Sequence, residues 1–154
     1  MIIAEHTTTL KLTAETIWSH LVDVGNWKDW DDMIEFSELN DPLDIEAIGV
    51  VKHKNHTATS FMITEIKALQ KLADIRTSYF GKFKFHREIT KVGAHCVRFT
   101  QKIELINTQS VLFSPFAQQR LHHSMVLSAW NLLIRCQNGE HAASALNHGI
   151  LQSA

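Results

Sequence analysis

The chain has 154 residues, 45% hydrophobic and 20% charged. This is the make-up of one globular domain that can bury a core without disulfide or metal staples. Fifteen Lys and Arg face 16 Asp and Glu, for a formal net charge of -1, which excludes the basic footprint of a nucleic-acid binder and a polybasic membrane anchor.

Residues Ile2 to Leu12, rich in Thr and Ile, predict a strand. Thr13 has the chemistry of a helix N-cap, and Ile17, Trp18, Leu21 and Val22 recur at helical spacing, so a short amphipathic helix is expected over 14 to 23. Gly25-Asn26 should end it, and 26 to 31 should form one or two turns. The period then changes. Met33 to Leu39, Ile48 to His53, Ala58 to Ile66, Lys71 to Ser78, Lys82 to Thr90 and Cys96 to Ile106 alternate as strands, with short breaks that predict an antiparallel meander. In FKFHREI, Phe83, Phe85, Arg87 and Ile89 share the inner face, while Lys84, His86 and Glu88 should be wet. In VRFTQKIEL, Val97, Phe99, Gln101, Ile103 and Leu105 should face in.

After Ser114-Pro115 a long helix is expected to about Gln137. Leu121, Met125, Ala129, Leu132, Leu133 and Cys136 cluster on one side, with Arg120, Ser124, Ser128, Asn131 and Arg135 opposite. The domain is therefore placed at 1–137, with 138–154 a weakly structured tail or short helix. No apolar run approaches the roughly 20 residues of a membrane helix. The N-terminus MIIAEHTTTLKL lacks the features of a signal peptide. Cys96 and Cys136 stand apart, as reduced thiols of a cytoplasmic protein.

Three of the four tryptophans fall in IWSHLVDVGNWKDWDD, residues 17 to 32. With FMITEI, the Phe-x-Phe at 83 to 85 and the alternating strand at 97 to 105, this stretch resembles the polyketide cyclase/dehydrase-like proteins of the SRPBCC (START, birch pollen allergen-like) superfamily over about residues 2 to 136. The resemblance implies an α+β helix-grip fold, a curved antiparallel sheet around a long C-terminal helix. It also implies an interior cavity whose mouth lies beside Trp27 and Trp30, with Trp18 packing its helix onto the sheet. Family members often carry His where Arg87 stands, so no acid-base role is inherited there.

The residues leave several readings open. Arg87 on an inner face either anchors a carboxylate, phenolate or enolate oxygen, pairs structurally with Asp74 or Glu65, or lies outside through a slipped register. Gln101 either meets a ligand carbonyl or is satisfied internally. His122 is expected to look toward the sheet as a general acid or base, or to be an ordinary packed histidine; His123 lies nearer the polar flank. His53 and His56 form H-x-x-H, but zinc needs three or four convergent ligands, so no metal is expected. Asp29, Asp31 and Asp32 suit a solvated turn. No nucleotide, P-loop, hydrolase or zincin motif occurs, and no cofactor is expected.

The expected function is binding of a hydrophobic small molecule or lipid-like metabolite, with Trp27, Trp30, Phe61, Phe83, Phe85, Arg87, Phe99, Gln101, His122 and Met125 lining the site. One alternative is an enzyme of intramolecular aldol condensation and dehydration, with Arg87 and His122 catalytic. Another is a protein-binding module, favoured by a filled interior and an exposed apolar patch.

Overall fold

The computed structural model describes residues 1–78, 81–106 and 115–152, with backbone only for Ser78, Pro115, Phe116 and 140–152. The seven strands are β1 (Ile2–Leu10), β2 (Ile34–Leu39), β3 (Ile48–His53), β4 (Thr59–Lys67), β5 (Lys71–Ser78), β6 (Gly81–Gly93) and β7 (Cys96–Leu105). They form one antiparallel sheet in the order β1-β7-β6-β5-β4-β3-β2. Five strand pairings stay in sequence order as a meander, and β1 closes against β7. Register shifts at Ile2/Ala4, Ile34/Phe36, Ile63/Glu65 and Lys91/Gly93 bend the strands. The curled sheet holds a long helix, α2 (Pro115–Gln152), on its concave face, which is the expected helix-grip α+β architecture.

The first connection is built as its sequence dictates. Thr13 Oγ1 accepts from the Thr16 amide at 3.2 Å and caps α1 (Ala14–Val22). A 3-10 segment, Val24–Asp29, follows. Trp27 is fully buried, and its indole N–H donates to the Leu21 carbonyl at 2.9 Å. That bond folds the 3-10 segment back against α1. Trp18 is partly buried against the core.

Inner-face alternation in β7 is complete: Val97, Phe99, Gln101, Ile103 and Leu105 are all buried. The interior has two apolar layers. One gathers Leu72, Ile89, Val97 and Phe99 with Trp27, Trp30, Phe61, Ala129, Leu132 and Cys136. The other gathers Ile3, Ala4, Ile103, Leu105 and Met125, flanked by Phe83, Phe85 and Leu121. A polar row crosses between them: Asp74 on β5, Arg87 on β6, Gln101 on β7 and Ser128 on α2, all buried.

Three expectations are corrected. His86, expected wet, is 9% exposed and bonds Glu104 at 3.0 Å. Its cross-strand partner is Lys102, and both residues border a cavity beside α2. Ser128, expected on the helix's outer side, is 3% exposed, and its hydroxyl donates to the Ser124 carbonyl at 2.7 Å. A small hydroxyl satisfied within its own helix can face inward at little cost. Finally, α2 does not stop near Gln137 but continues to Gln152.

Candidate functional site

The polar row centres on Asp74, which has no exposed surface. It accepts from Arg76 Nε at 2.7 Å and from Arg87 Nη1 at 3.0 Å. Side chains two apart on a strand share a face, so Leu72, Asp74 and Arg76 all point inward from β5. Burial pushes the Asp74 carboxyl up, but the two guanidiniums prevail and hold it below the usual carboxylate range. Of the two carboxylates expected as partners for Arg87, Asp74 is the one that pairs with it. Glu65 is taken instead by Lys71 at 2.8 Å and Lys84 at 2.5 Å.

Aromatic faces enclose the two arginines. Arg87 lies 4.5 Å from the Trp27 ring centroid and 5.8 Å from that of Trp30. Arg76 lies 3.8 Å from Phe85 and 5.6 Å from Trp27. Such contacts stabilise a desolvated guanidinium by about 2 kcal/mol or more. Arg76 Nη1 also reaches His53 Nε2 at 3.0 Å. An arginine only donates, so His53 Nε2 is the acceptor and the ring is neutral. Burial, then the nearby Arg76, lowers its pKa to about 4.

A cavity of about 80 Å³ opens between this cluster and α2. Asp31, His53, His86, Arg87, Gln101, Lys102, Ser124 and Ser128 supply polar lining, and Met33, Phe85, Ile103, Leu121 and Met125 supply apolar lining. Gln101 Nε2 donates to the Met125 carbonyl at 2.9 Å, which ties β7 to the helix. Asp31 behaves locally as expected, accepting from the Met33 amide at 3.0 Å, yet it is half-buried in the cavity wall. Burial raises its pKa, and the charges of Arg76 and Arg87 oppose that rise.

Four of the ten expected lining residues meet here: Phe85, Arg87, Gln101 and Met125. Trp27, Trp30, Phe61 and Phe99 are core residues. Phe83 packs at the side of the second apolar layer. His122 does not look into the cavity; it is exposed at the flank of α2, with its ring 5.8 Å from that of His6 on β1. The helix flank on which it sits lies over the edge strand rather than over the sheet's centre. Arg76 went unnoticed, and Ser124 and Ser128, expected opposite the helix's apolar side, line the cavity instead. Arg76 was legible, since it lies two positions after Asp74 in an alternating strand. The serines were not, because nothing in α2 marks which side of the apolar face meets a cavity.

A larger, open groove of about 620 Å³ lies between α1 and α2, beside His20, Asp29, Asp32, Asn131 and Arg135. Its carboxylates tether the helix: Asp29 accepts from Arg135 and Asp32 from Asn131, each at 3.0 Å. It is a polar surface crease held by exposed pairs, without buried polar groups converging on a ligand. Among the described residues no cluster of three or more His, Cys, Asp or Glu is placed to hold a metal ion, and no helix is long and apolar enough to cross a membrane.

No protein-family model matches the chain, and no curated protein matches it. Solved structures do. A START superfamily protein from Mycobacterium smegmatis superposes with a TM-score of 0.71 at 13% identity, over 87% of this chain and 96% of the other. The Zhui aromatase/cyclase from Streptomyces sp. R1128 gives 0.67 at 15% identity, over 90% and 95%. The di-domain aromatase/cyclase StfQ of the steffimycin pathway gives 0.69 at 8% identity, over 89% of this chain and 45% of that one.

Proposed function

From a helix-grip fold shared with START-superfamily and aromatase/cyclase structures, we propose that the chain binds a small organic molecule between its sheet and α2. The observation that carries this reading is the cavity at the polar row. There Arg87, Gln101, Ser124 and Ser128 border a space that Phe85, Ile103, Leu121 and Met125 also line. A few polar groups in an apolar recess orient a ligand by one end and bury the rest. Drug-sized ligands occupy about 300–1,000 Å³, so 80 Å³ suits a head group or a short molecule. Arg87 faces the ligand's polar end, and the aromatic and aliphatic walls take its apolar part.

The cyclase alternative draws on the fold alone. Asp31, His53, His86, Arg87 and Lys102 are the titratable residues that border the cavity, and His122 is elsewhere. The partner-binding alternative has one observation of its own: Val126, Leu127, Trp130 and Ile134 form an exposed apolar stripe along α2.

The test is native mass spectrometry of protein purified from its own host, beside Leu121→Trp, which fills the cavity and leaves every charged residue of the cluster in place. A bound small molecule present in the parent and absent from Leu121→Trp supports the reading. An empty parent with no thermal shift across a metabolite library overturns it.

A further inference from the structure

Resting on that binding reading, we infer that the cavity takes a monoanion, a carboxylate or a group of like charge and shape, together with one proton that Asp31 receives. The charges inside the fold lead there. Two guanidiniums, Arg76 and Arg87, share one fully buried carboxylate, Asp74. Arg76 is engaged on both sides, by Asp74 and by His53. Arg87 bonds Asp74 through Nη1 and also lines the cavity. The remaining positive charge is balanced by Asp31 across that space. Asp31 lies in the field of both arginines, yet among the described residues it makes no ion pair with either.

The cluster is thus neutral with Asp31 ionised and carries one positive charge with Asp31 protonated. An anion placed between Arg87 and an ionised Asp31 sets two like charges against each other in a desolvated space, and one of them then holds a proton. A protonated Asp31 restores neutrality and turns an acceptor into a donor facing the ligand's oxygen. The other charged groups around the site do not take this role. His53 on β3 accepts from Arg76, and a proton there would set two cations together. His86 on β6 and Lys102 on β7 also border the cavity, but His86 Nε2 is engaged by Glu104 at 3.0 Å and Lys102 Nζ by Glu88 at 3.4 Å. Asp32 is held by Asn131, and the lining residues of α2 are uncharged.

The test uses methanesulfonate, an anion throughout the range, and neutral propionamide, titrated at pH 5, 6, 7 and 8 and followed by the amide resonances of Gln101, Met125 and Ser128. Methanesulfonate affinity is expected to fall by up to about tenfold per pH unit as Asp31 ionises. In Asp31→Asn, which keeps the oxygen that accepts from Met33, it should be stronger at pH 8 and independent of pH. Equal slopes in parent and variant, or no slope in the parent, overturn the proton coupling and leave the cavity reading standing. Binding of propionamide without methanesulfonate overturns the anion. Silence from both probes overturns this inference and the cavity reading together.

Discussion

At the residue scale, Asp74 is the group on which the interior depends. Removing one partner of a buried ion cluster leaves the others desolvated and uncompensated, which costs about 3–5 kcal/mol. Asp74→Ala is expected to lose that much in a urea titration, because it strands Arg76 and Arg87. Since its folded pKa is depressed, its contribution is complete above the ordinary carboxylate range and is lost as pH falls through the folded value. His53 acts in an adjacent window with the same sign. Its folded pKa of about 4 lies below the ordinary 6.5, so the unfolded chain binds the extra proton and stability falls as pH drops from 6.5 to 4. The size is of order 3 kcal/mol. His53→Gln keeps an acceptor for Arg76 and should flatten that part of the stability–pH curve, measured by denaturation at pH 4 to 7.

At the element scale, tight packing explains a residue that composition leaves mute. Gly49 in β3 sits opposite Phe61 of β4. A Cβ there would lie 2.3 Å from the Glu38 carbonyl oxygen and 2.5 Å from the Phe61 ring. Gly49→Ala is therefore expected to destabilise by about 1–3 kcal/mol through overpacking, seen as a lower Tm. The effect comes from space rather than backbone conformation, since Phe61 covers the strand where the side chain is missing. Alternation made β7 readable residue by residue. It misjudged His86 because alternation assigns a face, while exposure also depends on what the side chain meets there, here the carboxylate of Glu104.

For the whole molecule, the balance between a filled interior and a surface stripe decides what the chain can engage. Trp27, Trp30, Phe61 and Phe99 fill space that the resemblance assigned to a larger cavity, which leaves about 80 Å³ at the polar row. Outside, Trp130 is 61% exposed on α2. Trp130→Glu is expected to change monomer stability by no more than about 0.5 kcal/mol, as for an uncovered surface position. Sedimentation velocity then reads self-association through the stripe: a parent dimer made monomeric by Trp130→Glu supports it, and a monomeric parent removes it.

Strand periodicity, the Thr13 cap, the position of Pro115 and the inward placement of Gln101 were determined by the sequence alone. Each follows from local geometry: a two-residue repeat, a side-chain oxygen before a helix, a proline ring at a first turn. Only the tertiary structure decided that Asp74 rather than Glu65 holds Arg87, that Arg76 joins it, and that Asp31 walls the cavity while His122 does not. Those outcomes depend on which strands become neighbours, in what register, and on how far α2 is rotated over the sheet. No local pattern encodes such distances, because they are set jointly by every side chain that has to fit between the sheet and the helix.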